Sequence, residues 1–377
     1  MTDKITPILL PKWGMDMEEG KIGEWLVSEG EQVTVGSEVL EIESEKVTNV
    51  LETIASGVLR RQLVSHGETY PVGTLLGVIA DANVSDDSLS DFISGYEVNT
   101  DELLDIASPA LELIDDMIEI DGQRLHYTSA GTGDNTVILI HGFGGNLSSW
   151  GGLQMALAPS YRVISVELPG HGTSSKQIGG GTSQDFARLL LAVLDGLDIG
   201  DVHLIGHSLG GAISAQMAMI NPARIKSLIL ISNYGLATKV NVDYIDEFIA
   251  AKRRKGVKLV LKKLFVDGSA VNSDMIEGVL RLKRLEGVEQ ALGTIADAIR
   301  AEQVDEASIE LPIVPTQIII GKTDTIIEFD DALLANIGNI ALIDNAAHMP
   351  QLEQAAQTEA LIKNFLEQHQ ELEQLQA

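Results

Sequence analysis

Leu204-Ile205-Gly206-His207-Ser208-Leu209-Gly210-Gly211 decides the fold of the larger part of this chain. It follows a short apolar run, Val202 to Ile205, and leads into Ala212-Ile213-Ser214-Ala215-Gln216-Met217, which has a helical composition. A strand that reverses into a helix around one residue holds that residue in a strained backbone. Glycines on both sides let the neighbouring chain pass without a Cβ clash. The Gly-x-Ser-x-Gly spacing therefore lifts Ser208 Oγ onto the rim of a parallel sheet, where it can act as a nucleophile. A serine hydroxyl attacks only when a base takes its proton, so the chain must also supply a histidine and an acid.

Outward from this elbow, strands and helices alternate. Val137-Ile138-Leu139-Ile140 is a fully apolar strand ending in His141-Gly142-Phe143-Gly144-Gly145, and Arg162 to Leu168 is the next, followed by Pro169-Gly170-His171-Gly172. Phe186, Leu189, Leu190, Val193 and Leu194 fall on one face of a helix. Later strands lie at Ser227 to Ile231, Gln317 to Ile320 and Ala341 to Ile343, before a terminal helix from about Thr358. Asp115 to Tyr127 reads as a hairpin around Asp121-Gly122. Continuously apolar strands alternating with helices specify a mainly parallel sheet covered on both faces. With the elbow, this pattern resembles the α/β-hydrolase family over roughly residues 115 to 370.

The resemblance implies the chain order serine, acid, histidine. His348, in Asn345-Ala346-Ala347-His348-Met349-Pro350, follows the last strand; past the elbow the other histidine is His369, in the terminal helix. Gly321-Lys322-Thr323-Asp324 follows the preceding strand and supplies Asp324, whereas Asn233, after the strand before it, is not an acid. The expected catalytic set is Ser208, Asp324 and His348. The resemblance assigns the oxyanion hole to the backbone N–H groups of Phe143 and Leu209, with the glycines at 142, 144 and 145 letting the loop approach closely. His207 adjoins the serine, but a strained elbow turns neighbouring side chains apart. His141 and His171 lie in family turns without a proton-transfer role. Ala347 stands where the family prefers Gly, and Glu328 where Pro is common.

Between about Asn233 and Glu310 the alternation breaks into a helical insertion, which in this family forms a cap over the active site. It holds Lys252-Arg253-Arg254-Lys255, then Lys258, Lys262 and Lys263, in an otherwise acidic chain. Those residues fit a solvated helix face that balances charge. They also fit attraction of the coenzyme A phosphates or of an acidic carrier domain.

The first eighty residues carry a repeat. Gly20, Leu26-Val27-Ser28-Glu29-Gly30-Glu31 and Gly36 return 37 positions later as Gly57, Leu63-Val64-Ser65-His66-Gly67-Glu68 and Gly73. Each copy alternates apolar and polar residues over short, glycine-bounded runs, the mark of half-buried strands. Two such copies related by a pseudo-twofold make a small flattened β-barrel, joined by the hairpin Glu43-Ser44-Glu45-Lys46-Val47-Thr48-Asn49. That hairpin and Pro11-Lys12-Trp13-Gly14-Met15-Asp16-Met17-Glu18-Glu19-Gly20 resemble the lipoyl domains of the 2-oxo acid dehydrogenase complexes. Biotin carriers share the fold, but their lysine sits between methionines; here Glu45 and Val47 flank Lys46. The resemblance implies a lipoate amide on Lys46, a swinging dithiol arm that accepts an acyl group as a thioester.

From Gln62 to Gln123 there is no Lys or Arg, and Asp81, Asp86, Asp87, Asp91, Glu97, Asp101, Glu102 and Asp105 are spread among small polar residues. Such a stretch repels itself and buries little, which predicts a flexible tether over residues 81–112. The expected organisation is a two-domain chain: an all-β lipoyl domain over 1–80, the linker, and an α/β-hydrolase-fold domain over 113–377. The net charge of -29 argues against binding nucleic acid or an anionic membrane. There is no cysteine, hence no disulfide and no thiolate metal site, and no metal is expected. No basic region followed by an apolar core opens the sequence, so a cytoplasmic protein is expected.

A carrier arm that presents an acyl thioester and a serine with an oxyanion hole together define acyl transfer. The whole architecture resembles the dihydrolipoyllysine acetyltransferase components of acetoin dehydrogenase systems. That resemblance implies coenzyme A as acceptor, with a thiamine-diphosphate-dependent acetoin dehydrogenase and a dihydrolipoamide dehydrogenase as partners. The His-x-x-x-Asp-Gly motif of the ordinary lipoyl-dependent acyltransferases is absent. Three functions fit the sequence: transfer of acetyl through Ser208 to coenzyme A, hydrolysis by a serine esterase or thioesterase, and a hydrolase-like scaffold for the carrier arm.

Overall fold

Equivalent positions of the 37-residue repeat occupy equivalent places in two four-stranded sheets. In the computed structural model, which describes residues 5–11, 19–34, 37–43, 48–53, 55–96, 113–235, 239–302, 313–329 and 339–376, the chain divides into two compact units, Met1–Ala110 and Leu111–Ala377. The strands of the first unit are β1 (Ile5–Leu9), β2 (Glu19–Trp25), β3 (Gln32–Val33), β4 (Glu38–Glu43), β5 (Thr48–Glu52), β6 (Gly57–Gln62), β7 (Thr69–Pro71) and β8 (Leu75–Ala80). They form sheets of order β1-β8-β6-β3 and β5-β4-β2-β7. Each copy thus lends its short strand to the other: β3 pairs with β6, and β7 with β2. The core repeats likewise, with Ile22, Val39 and Ile42 of the first copy answered by Leu59, Leu76 and Ile79 of the second, all buried. Strands β4 and β5 pair with Glu43 opposite Thr48. Lys46, in the connection between them, lies outside the described residues, and Lys21 is paired with Glu43 at 2.9 Å.

Part of the segment expected to be a flexible linker is folded. Residues Asp86–Gly95 form helix α1, started by Ser85, whose Oγ accepts from the Ser88 amide at 3.1 Å. Two arginines just upstream offset its acidic first turn: Asp86 takes Arg61 at 2.9 Å and Arg60 at 3.3 Å. Arg60 also donates to the carbonyls of Asp81 at 3.0 Å and Val84 at 2.9 Å. Leu89 is completely buried against Val78, Ala80 and Val84, with Phe92 and Ile93 packed alongside. Composition predicts self-repulsion because it counts charges along the chain. The cations that neutralise them come from strand β6.

The second unit is built on an eight-stranded sheet of order β18-β16-β14-β13-β11-β12-β10-β9. The antiparallel hairpin β9 (Ile114–Ile120) and β10 (Gln123–Ala130) forms one edge. The remaining strands, β11 (Thr136–Ile140), β12 (Arg162–Val166), β13 (Val202–His207), β14 (Ile225–Ile231), β16 (Thr316–Gly321) and β18 (Ile340–Ile343), run parallel. Alternate residues of each strand feed two cores: Ile138, Leu204, Leu228 and Ile318 face one side, and Leu139, Ile205, Ile229 and Ile319 the other. Covering helices include α2 (Gly151–Leu157), α3 (Ser183–Gly196) and α4 (Leu209–Ile220). Between β14 and β16 the chain makes a cap: β15 (Lys239–Val240), α5 (Val242–Ala250), α6 (Arg254–Leu261), α7 (Ser273–Arg284) and α8 (Val288–Ala301). After β17 (Ile327–Glu328) and β18, the chain closes with α9 (Pro350–Glu353) and α10 (Ala355–Gln376). Among the described residues no helix is long and apolar enough to cross a membrane.

Leu89 carries the docking of α1, so Leu89→Asp should bury an unpaired carboxylate and release the helix. Amide exchange over residues 86–95 should then lose its protection while the second unit melts as before. Retained protection would show that the helix does not depend on this contact.

Candidate active site

Strand β13 ends at His207, and the next residue, Ser208, has a φ of 52°, in the left-handed region a side chain rarely adopts. The flanking glycines make the turn possible: a Cβ on Gly206 would lie 2.3 Å from the Gly210 carbonyl oxygen, and one on Gly210 would lie 2.0 Å from that of Ile140. The Ser208 amide donates to Ile231 at 3.0 Å, and the Ser208 carbonyl accepts from Gly211, Ala212 and Tyr234 at 3.0, 3.2 and 3.3 Å. Ser208 is thus fixed by backbone bonds, and α4 starts at its next residue.

Asp324 sits in the turn after β16. Its Oδ1 accepts the amides of Ile326 at 2.8 Å and Ile327 at 3.0 Å, and its Oδ2 accepts the Nδ1–H of His348 at 2.8 Å. Both side chains are almost wholly buried, at 1% and 4% exposure. Burial pushes the Asp324 carboxyl up, but His348 and the two amides outweigh it and hold the group below the usual carboxylate range. An ionised Asp324 keeps the proton of His348 on Nδ1 and leaves Nε2 as the basic nitrogen. Ser208 and His348 line one cavity. Among the described residues no hydrogen bond joins them, as is common before substrate is bound.

Three further histidines fix the scaffold around these groups. His171 Nε2 accepts the Gly144 amide at 3.0 Å, and His141 Nε2 accepts the Leu168 amide at 3.0 Å. A nitrogen that accepts an amide carries no proton, so both rings hold theirs on Nδ1, where Pro169 and Gly142 offer carbonyls at 3.1 and 2.8 Å. His207 donates from Nε2 to the His348 carbonyl at 2.8 Å. Burial, ahead of neighbouring charge, pulls His171 and His207 down to about 3, and burial lowers His141 as well. All three are neutral pins at working pH. The elbow aims the His207 ring at the backbone of His348.

The loop at His141-Gly142-Phe143-Gly144 presses on the nucleophile: a Cβ on Gly142 would lie 3.0 Å from Ser208 Cβ and 2.9 Å from His207 Nδ1. Among the described residues the amides of Phe143 and Leu209 donate to no protein acceptor, and both residues line the cavity. The cavity has a volume of about 200 Å³. The cap roofs it with apolar side chains, Tyr244 and Phe248 from α5, Leu261 from α6, and Met275 and Val279 from α7. A second attachment joins cap to catalytic loop. The His348 amide donates to the Leu264 carbonyl at 3.1 Å, and Glu353 accepts the amides of Val266 at 2.6 Å and Ala347 at 2.7 Å. Sequence reading missed Glu353, because a glutamate five residues past a histidine in a helical turn carries no signal of its own.

The structure brings Ser208, Asp324, His348, Phe143 and Leu209 together at the rim formed by β11, β13, β16 and β18. Lys46 lies outside the described residues, as do neighbouring Glu45 and Val47. Some of the basic residues of the cap are paired within it: Lys252 with Glu289 at 2.7 Å, Lys263 with Glu247 at 2.6 Å, and Arg254 with Glu277.

Residues 135–273 match the alpha/beta hydrolase fold family, and residues 6–79 match the family described as biotin-requiring enzyme. The dihydrolipoyllysine-residue acetyltransferase component of the acetoin cleaving system of Cupriavidus necator is 36% identical over 368 residues, covering 96% of this chain and 97% of that protein. The protein of the same name from Pseudomonas putida is 36% identical over 373 residues, covering 97% of this chain and 100% of its own length. A 2-hydroxy-6-oxononadienedioate/2-hydroxy-6-oxononatrienedioate hydrolase of Escherichia coli K12 is 28% identical over 263 residues, covering 64% of this chain and 91% of that one. Among solved structures, the 2-hydroxy-6-oxo-6-phenylhexa-2,4-dienoate hydrolase of a Rhodococcus species superposes with a TM-score of 0.60 at 18% identity, over 68% of this chain and 99% of that one. It shares the fold.

The neutral histidines give the fold an acid limit. His171 and His207 stay uncharged down to about 3 when folded, but in the unfolded chain each takes a proton below about 6.5. The stability they confer is present above 6.5 and lost as pH falls toward 3. A His171→Gln variant should therefore be less stable than the native chain at pH 7, and the gap in melting temperature should narrow as pH falls to 4. A gap that widens on acidification would mean that His171 is charged in the fold.

Proposed function

The chain belongs to the dihydrolipoyllysine-residue acetyltransferase components of acetoin cleaving systems, and from that premise we propose that it moves acetyl to coenzyme A through Ser208, His348 and Asp324. Lipoate in amide linkage on Lys46, when attached, supplies the acyl group as a thioester. Support for that attachment comes from the first unit, whose β4–β5 hairpin turns where Glu43 faces Thr48 and whose residues match the biotin and lipoyl carrier fold.

Ser208 Oγ attacks the thioester carbonyl while His348 Nε2 takes its proton. The carbonyl oxygen becomes an oxyanion between the N–H groups of Phe143 and Leu209, each donor worth on the order of 3 kcal/mol of barrier. Asp324 stabilises the imidazolium formed on His348. Collapse breaks the C–S bond; His348 returns the proton to the departing sulfur, and the acyl group stays on Ser208 as an ester. The coenzyme A thiol then gives its proton to His348 and attacks that ester, and a second collapse restores Ser208 Oγ–H. The observation that carries the reading is the buried Asp324–His348 pair at 2.8 Å beside Ser208 in an apolar cavity. Its largely apolar lining under the cap favours a thiol acceptor over hydrolysis.

Membership in these systems implies other components. We assign as partners a thiamine-diphosphate-dependent dehydrogenase that loads the arm and a dihydrolipoamide dehydrogenase that reoxidises it, with all three in the cytoplasm.

Acetyl-lipoyl chain mixed with coenzyme A should give acetyl-coenzyme A as its main product. Asp324→Asn should slow turnover by about four orders of magnitude with the fold intact, and Ser208→Ala should abolish it. Free acetate as the dominant product at saturating coenzyme A would make the enzyme a thioesterase. Peptide mass analysis of chain made in lipoate-replete cells should find the modification on Lys46 and lose it in Lys46→Arg; modification at Lys21 would overturn the carrier assignment.

A further inference from the structure

The cap reverses the charge of the chain. Residues 242–301 hold 11 of its 26 Lys and Arg but 9 of its 55 Asp and Glu. On α6, Arg254 is paired with Glu277, and a second group of cations is gathered around a cavity between α5, α7 and α8. This cavity, of about 200 Å³, is walled by Lys252, Lys283, Arg284 and Glu289 together with Ile249, Leu280 and Leu292. Glu289 is paired with Lys252 at 2.7 Å. Among the described residues no carboxylate forms an ion pair with Lys283 or Arg284. Lys283 is held by backbone instead: its Nζ donates to the carbonyls of Phe248 and Ala251, the latter at 3.0 Å, which fixes the charge against the C-terminal end of α5. Half-buried, it is pulled down to about 8 by desolvation, which outweighs the attraction of the nearby Glu289 carboxylate.

The cavity lies directly behind the acyl site. Lys283 Nζ stands 4.3 Å from the centroid of the Phe248 ring. The same ring packs 5.6 Å from Phe143 of the oxyanion loop, and a Cβ on Gly144 would be 2.4 Å from it. One aromatic side chain separates the cationic cavity from the wall of the catalytic one. We infer that this cavity binds the phosphorylated nucleotide end of coenzyme A, with Arg284, Lys283 and Lys252 around the phosphates and Ile249, Leu280 and Leu292 against the base.

Two properties select this ligand. Cations gathered beside apolar walls suit a group that is anionic at one part and flat and apolar at another. The long flexible arm of coenzyme A lets its thiol reach the catalytic cavity while its phosphates stay outside. An anion here also returns to Lys283 the stabilisation that burial removes. The inference rests on coenzyme A being the acceptor, and it relocates the phosphate site from the α6 stretch, where Arg254 and Lys263 are occupied, to Arg284 and Lys283 on α7.

The test measures binding rather than turnover. Full-length Ser208→Ala chain is titrated calorimetrically with coenzyme A and with pantetheine, which has the thiol arm but no nucleotide. Arg284→Gln and Lys252→Ala are then added singly. Lys283 is left intact because it holds the end of α5. Coenzyme A should bind each variant about tenfold more weakly, with pantetheine unchanged, and Arg284→Lys should recover part of the loss. Equal affinity of coenzyme A for all variants, or an equal fall for both ligands, overturns the assignment of this cavity. Failure of the native chain to bind coenzyme A at all instead overturns the acceptor on which the inference rests.

Discussion

One backbone angle governs the larger unit. A serine at φ 52° costs on the order of 1–3 kcal/mol and persists only where its surroundings leave no alternative. Here they leave none. The Ser208 amide and carbonyl are bonded to Ile231, Gly211, Ala212 and Tyr234, so relaxing the angle would break both the sheet edge and the first turn of α4. Gly206 and Gly210 are required because their missing Cβ positions are filled by backbone oxygens. That same packing brings the start of α4 under the β11 loop, and the amides of Leu209 and Phe143 end on one wall of one cavity. The placing of Ser208 and of the two amides proposed as oxyanion donors therefore follows from a single constraint.

The base needs a different kind of support, because His348 lies on a loop. Its side chain is held by Asp324, its carbonyl by His207, its amide by Leu264 and its neighbour Ala347 by Glu353. Two of these contacts tie it to the cap, since Leu264 belongs to the cap and Glu353 also accepts the Val266 amide. Movement of the cap away from the sheet would thus disturb the catalytic histidine as well as open the cavity. Neutral histidines suit the other attachments: each has one donor and one acceptor nitrogen and can satisfy an amide and a carbonyl at once without burying a charge.

Periodicity made the sheet legible, and chain order pointed to the residues that the structure gathers around Ser208. The inner strands are largely apolar runs, the elbow carries a spacing set by its own sterics, and Asp324 and His348 each follow a strand end. The two-copy organisation of the first unit was readable because 37-residue spacing recurs in its buried positions, Ile42 and Ile79 among them. What composition could not supply was long-range pairing. Helix α1 exists because Arg60 and Arg61, on another element, meet Asp86 and because Leu89 finds Val78. The role of His207 depends on a carbonyl 141 residues away. The basic run of the cap looked like one charged face, and only the fold separates Arg254 and Lys263, which have carboxylate partners, from Arg284, which has none among the described residues.

The proposed triad and oxyanion hole would be indifferent to what finally takes an acyl group from Ser208, since water and a thiol use the same base and the same donors. The relative from Escherichia coli that matches 64% of this chain is named a hydrolase. Choice of acceptor must then be made by what surrounds the serine, and in this fold that is the cap. Its inner face is apolar, with Tyr244, Phe248, Leu261 and Met275 over the cavity, which disfavours a water positioned for attack. Its flank, one ring away, presents cations in a chain of net charge -29. A repulsive field over most of the surface and an attractive one beside the site would draw an anionic acceptor to the cap rather than elsewhere. The inserted helices between β14 and β16 thus supply both the apolar roof over Ser208 and the cationic flank beside it.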